Sequence, residues 1–77
     1  MRKQRRTHAI PDGTPTTQRP WHDLKPGDRV WFATGFYEVF DAYPVSQDSV
    51  RVKLVIDGRI ESYRVRVWPE SMATCRI

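Results

Sequence analysis

Leu24-Lys25-Pro26-Gly27-Asp28-Arg29-Val30-Trp31-Phe32, followed by Phe36-Tyr37-Glu38-Val39, is the stretch from which the fold is read. Pro26 pre-sets its own φ, and Gly27 takes the positive φ that the next turn position needs. The turn leads into Val30-Trp31-Phe32, whose β-branched and aromatic side chains favour a strand. Nothing downstream carries helical periodicity, and everything upstream reads as a tail.

Working outward, the first strand is expected over about 29–34, with Gly35 allowing a turn or bulge. The second covers about 36–43. Tyr37 and Val39 share one face, and the alternation then slips, which predicts a bulge near Phe40-Asp41. Pro44 is expected to end this strand, and Ser46-Gln47-Asp48-Ser49 to form a polar loop.

Val50, Val52, Leu54 and Ile56 then alternate with Arg51, Lys53 and Val55, a period of two with one apolar face. Asp57-Gly58 comes next, a strong signal for a two-residue hairpin. The next strand is expected from Arg59 to about Val67. This hairpin sets Ile56 against Arg59, Leu54 against Glu61, Val52 against Tyr63 and Val50 against Val65. On the opposite face it sets Arg51 against Arg64, Lys53 against Ser62 and Val55 against Ile60. Pro69 stops the strand. A single helical turn at 69–72 and a closing strand at 72–77 complete the pattern.

Seventy-seven residues make one small domain. A chain of this size buries only about 60% of its unfolded surface, so a thin core is expected. Apolar runs are short, which predicts no membrane span and no signal-peptide core. Cys75 is the single cysteine. It has no internal disulfide partner, and this fits a reducing, cytoplasmic setting.

The net charge of +4 is unevenly placed. Residues 1–20 hold Arg2, Lys3, Arg5, Arg6 and Arg19 against Asp12 alone, which accounts for the whole excess. Residues 21–77 are balanced. Three prolines, four threonines and few apolar side chains mark 1–20 as a flexible basic tail before a folded domain at 21–77. Arg2-Lys3-Gln4-Arg5-Arg6 suits contact with a polyphosphate, or is simply a solvated terminus. Trp21 reads as a lid over one end of the core or as a stacking platform.

Four or five short strands with tight turns and no helix point to a small all-β barrel. The succession Leu24-x-Pro26-Gly27-Asp28-x-Val30, Tyr37-Glu38-Val39 and an Asp57-Gly58 hairpin resembles small SH3-like barrels of the Tudor and KOW type. The resemblance covers about 24–77, and the glycine-rich KOW loop is missing from it. It implies a binding module for nucleic acid or a protein, with no catalytic residues. A Tudor-like aromatic cage would draw on Trp31, Phe36, Tyr37 and Tyr43, which otherwise serve the core. The overall style also resembles small actinobacterial phage proteins that bind a host factor.

Catalytic and metal chemistry find little to work with. His8, His22 and Cys75 lack metal-ligand spacing. The four glycines punctuate turns rather than cradle phosphate. Glu38, Asp41 and Glu61 read as surface acids. No enzyme, metal or cofactor is therefore expected. The constellation that stands out is Arg51, Lys53, Arg64 and Arg66 followed by Trp68, all placed on one outer face by the hairpin register. Arg51 opposite Arg64 is a like-charge pair, which destabilises a sheet. Relief comes either from an acid on a neighbouring strand, Glu38 being the candidate, or from an anionic partner. Bases beside an exposed aromatic suit phosphate contact with base stacking. The sequence thus points to a nucleic-acid-binding module using Arg2, Lys3, Arg5, Arg6, Arg51, Lys53, Arg64, Arg66 and Trp68. The rival reading is a protein-interaction adaptor, phage-encoded, anchored by Trp31, Phe36, Tyr43 or Trp68.

Overall fold

The computed structural model describes residues 10–77. The expectations for Arg2, Lys3, Arg5, Arg6 and His8 lie outside the described residues. Six strands form one antiparallel sheet: β1 (Thr16–Pro20), β2 (Arg29–Phe32), β3 (Gly35–Ser46), β4 (Ser49–Ile56), β5 (Arg59–Val65) and β6 (Met72–Arg76). Their order across the sheet is β1-β6-β2-β3-β4-β5. A single 3-10 turn, Trp21–Asp23, links β1 to the loop before β2.

The turns explain the strand boundaries. In Lys25-Pro26-Gly27-Asp28 the Asp28 N–H donates to the Lys25 carbonyl at 3.0 Å. Gly27 has φ +97°, the value an L side chain resists. The Gly27 N–H donates to the Val39 carbonyl and the Val39 N–H to the Asp28 carbonyl, tying the turn to β3. At the other hairpin Asp57 and Gly58 both have positive φ, 53° and 75°, as a primed two-residue turn requires. The β4–β5 register then runs as expected, from Ile56 opposite Arg59 to Val50 opposite Val65.

Several expectations need correction. The tail reading extends too far: Thr16–Pro20 is a strand, paired with β6 from Thr16 opposite Arg76 to Pro20 opposite Met72. Pro44 does not end β3, which continues to Ser46 with Pro44 opposite Val50. Proline is tolerated there because β2 pairs only with Gly35–Glu38, so no strand needs a donor from Pro44 on that edge. The bulge expected near Phe40-Asp41 is present, at Val39/Asp41 with Phe40 as the extra residue. The β2–β3 turn is Ala33-Thr34, and Ala33 rather than Gly35 takes positive φ, 59°. The segment after Trp68 is a hydrogen-bonded turn, Ser71 N–H to Trp68 carbonyl at 2.9 Å, not a helical turn.

The sheet is also not a closed barrel. β6 pairs with β2 on one edge and with β1 on the other. The edge that closure would offer to β5 is therefore taken by β1.

One face of the sheet holds the core. Leu24, Val30, Val39, Val52, Leu54, Ala73 and Cys75 pack together, with Trp21, Phe32, Tyr37 and Tyr63 half-buried against them. Trp21 is thus the expected lid. Its N–H donates to the Ser71 carbonyl, and the His22 N–H donates to the Pro69 carbonyl, which pins the 3-10 turn to the β5–β6 connection. Burial raises the Cys75 pKa, Asp28 raises it further, and Arg19 acts in the opposite direction.

A chain beginning at Trp21 should melt lower by at least about 5 °C, roughly 1 kcal/mol for a domain this size; an unchanged midpoint would show that β1 adds nothing. A raised Cys75 pKa means that its stabilising effect is complete below the unfolded thiol value and fades as pH rises through the folded one. Urea midpoints should therefore fall above about pH 8.5, with a shallower fall in Cys75→Ala; identical slopes would refute the linkage.

Candidate nucleic-acid interface

The side chains opposite the core form the outer face. Across β3, β4 and β5, one row reads Tyr43, Arg51, Arg64 and the next reads Asp41, Lys53, Ser62. The hairpin register therefore brings Arg51, Lys53 and Arg64 together, as the sequence predicts. Tyr43 joins them, with the Lys53 Nζ 5.7 Å from its ring centroid, a cation–π distance.

Arg51 and Arg64 are direct neighbours, and the relief of their repulsion differs from expectation. Glu38 is opposite Arg29 on one side and Val55 on the other, well along β4 from Arg51. Serine hydroxyls hold the two arginines instead. Arg64 Nε donates to Ser49 Oγ at 3.1 Å, and Arg51 Nη1 donates to Ser62 Oγ at 3.3 Å. The two guanidinium groups are drawn to different anchors, and each keeps N–H donors for another acceptor. Among the described residues the ion pairs within 4.0 Å are Arg19–Asp28 and Lys25–Asp23, so no carboxylate neutralises Arg51, Lys53 or Arg64 at that distance.

Ser49 is the residue the sequence does not reveal. Among the described residues it is the buried polar side chain, fully shielded from solvent. Its hydroxyl also meets Ser46 Oγ at 2.7 Å, and Ser46 Oγ donates to Asp48 Oδ1 at 2.9 Å. In sequence it looks like one more polar loop residue. The available signal is its position two before Arg51, on the same face of β4.

Arg66 and Trp68 leave this arrangement. β5 stops at Val65, two residues earlier than expected, because the Val67 N–H donates to the Val65 carbonyl at 3.0 Å. That is a three-residue turn centred on Arg66, and beyond it the strand register no longer sets the position of Trp68. Trp68 is 68% exposed. It lines an open groove of about 730 Å³ with Ser46, Asp48 and Glu70.

The aromatic-cage quartet does not converge. Tyr37 is opposite Val30 and packs on the core, whereas Trp31 and Phe36 are paired on the outer face. Their ring centroids are 5.0 Å apart at 71°, an edge-to-face contact. Tyr43 lies at the far end of β3.

The charge pattern is a separation rather than an excess. Residues 10–77 carry nine of the thirteen Lys and Arg and all nine Asp and Glu. A balanced body therefore presents one local face with three cations in neighbouring positions. No group of three or more His, Cys, Asp or Glu among the described residues is arranged to hold a metal ion. No helix among them is long and apolar enough to cross a membrane.

Ser49→Ala removes the acceptor that holds Arg64. It should cost about 1 kcal/mol, the net worth of a hydrogen bond, visible as a lower urea midpoint at unchanged slope; no loss would mean that Arg64 and Ser46 satisfy themselves with water. Comparison with known proteins leaves the reading to this geometry: no family model, no curated protein and no solved structure matches the chain.

Proposed function

We propose that this chain is a non-catalytic binding module that grips the phosphate backbone of nucleic acid with the outer face of β3–β5. One observation carries the reading: Arg51, Lys53 and Arg64 occupy adjacent register positions, tethered by serine hydroxyls and Tyr43, with no carboxylate of the described residues within 4.0 Å. Tethering lowers the entropy lost when a flexible cation docks. Arg2, Lys3, Arg5 and Arg6 add sequence-independent attraction. Arg66 and Trp68, beyond the turn, extend the contact at its edge.

An SH3-like relationship is proposed with it. The four strands β2 to β5 form a meander, and β6 returns after a short turn to pair with β2, the first of them. β1 is then an addition to that plan.

A protein partner is the second reading. Trp68 is exposed over its groove, and Phe40 and Val45 are exposed along β3. Aromatic anchors of this kind dominate protein interfaces.

Binding of a fluorescein-labelled oligonucleotide, followed by anisotropy at several salt concentrations, separates the two. With Arg2, Lys3, Arg5 and Arg6 all changed to Gln, binding at low salt should persist. Arg64→Ala or Arg51→Ala should then weaken it several-fold. Each should also flatten the salt slope by up to about 0.9 for every phosphate no longer neutralised on duplex DNA, or about 0.7 on a single strand. If the four-Gln protein does not bind at low salt, the folded face is not the interface. A nuclease-resistant partner lost in a folded Trp68→Ala variant would establish the protein reading instead.

A further inference from the structure

We propose that the outer face takes single-stranded rather than duplex nucleic acid, with an unpaired base stacked in a groove at Trp31 and Phe36. This rests on the nucleic-acid reading above and names the form of ligand that the face selects.

The groove is open, about 450 Å³, and is lined by Trp31, Phe36, Thr14, Thr34 and Arg76. It lies where the Ala33-Thr34 turn of β2–β3 approaches Pro11 and Thr14, ahead of β1. Both rings are half-buried, so each presents part of its surface to the groove. Their edge-to-face contact fixes both orientations. The pieces match what an unpaired nucleotide asks for. An aromatic face stacks a base, hydroxyls from two threonines reach its edge, and a guanidinium at the rim meets a phosphate. A paired base inside a duplex has both faces covered by its neighbours and cannot enter.

The register places this groove and the cationic cluster on one path. Trp31 is opposite Phe36, Arg29 is opposite Glu38, and Tyr43 is opposite Arg51. All of these are outer-face positions joined by β3. From Phe36 to Tyr43 is about 20 Å along the strand, allowing for the bulge. A stacked strand advances about 3.4 Å per nucleotide, so about six nucleotides at most bridge the two ends. Two acids lie on this path, Glu38 opposite Arg29 and Asp41 opposite Lys53, so each has a base as its cross-strand neighbour.

The test uses the full chain with Arg2, Lys3, Arg5 and Arg6 changed to Gln, and labelled thymidine oligomers of about two to ten nucleotides beside a hairpin duplex. Single strands should bind more tightly than the duplex, with affinity climbing to about six nucleotides and then levelling. Trp31→Ala should weaken the longer oligomers by about five- to a hundredfold, the loss of one base stack, and Trp31→Phe should recover most of it. If Trp31→Ala fails to fold, emission from Trp31 in a Trp21→Phe, Trp68→Phe background decides. Quenching by the oligomer upholds the stack, and unchanged emission overturns it. Equal affinity for duplex, or a folded Trp31→Ala that binds normally while Arg64→Ala does not, overturns this inference and leaves the broader reading standing. Loss of all binding in the four-Gln protein overturns both.

Discussion

The pairing of β6 between β1 and β2 is the constraint on which the structure depends. Strands β2 to β5 alone are a meander whose apolar face is open on the β2 side. β6 covers it by adding Ala73 and Cys75, both buried, to Val30, Val39, Val52 and Leu54. It also supplies the edge that recruits β1. Because the fully buried side chains are few and mostly Val and Leu, each strand depends on its neighbour for burial. A thin core of this kind makes backbone pairing matter more than it does in a larger domain.

The parts of the fold legible in the sequence are those decided locally. Asp57-Gly58 fixes a turn through two positive φ angles, and the turn fixes every β4–β5 pair after it. Pro26-Gly27 acts the same way before β2. β1 is not legible because nothing local makes Thr16–Pro20 a strand: its residues are polar or proline, and its stability comes from partners such as Thr74, whose hydroxyl accepts from Gln18 Nε2 at 3.0 Å across 56 positions. The continuation through Pro44 depends equally on something remote, namely how far β2 reaches. Closure fails for the same reason, since one added strand elsewhere takes the free edge.

The candidate site divides along the same line. The grouping of Arg51, Lys53 and Arg64 follows from hairpin arithmetic and is open to sequence reasoning. The anchors that hold them apart are not. Serine at 49 or 62 announces a loop or a solvated face, and a hydroxyl bound to an arginine is visible only once register and rotamers are set. Glu38 looks suitable because it shares β3 with the residues facing Arg51, yet pairing places it opposite Val55. Arg66 and Trp68 leave the face through a turn two residues before a proline, where alternation alone gives no warning.

The antiparallel seam between β1 and β6 has a mechanical consequence. Thr16 faces Arg76, and the Ile77 N–H donates to the Pro15 carbonyl at 3.1 Å, so the first strand residue along the chain and the last are side by side. Tension applied at these two points would run across the ladder and not along it. Its hydrogen bonds would be loaded one after another, like the teeth of a zip, instead of being sheared together. The sheet should yield at low force by peeling β1 away, leaving β2–β6 briefly intact before the core opens.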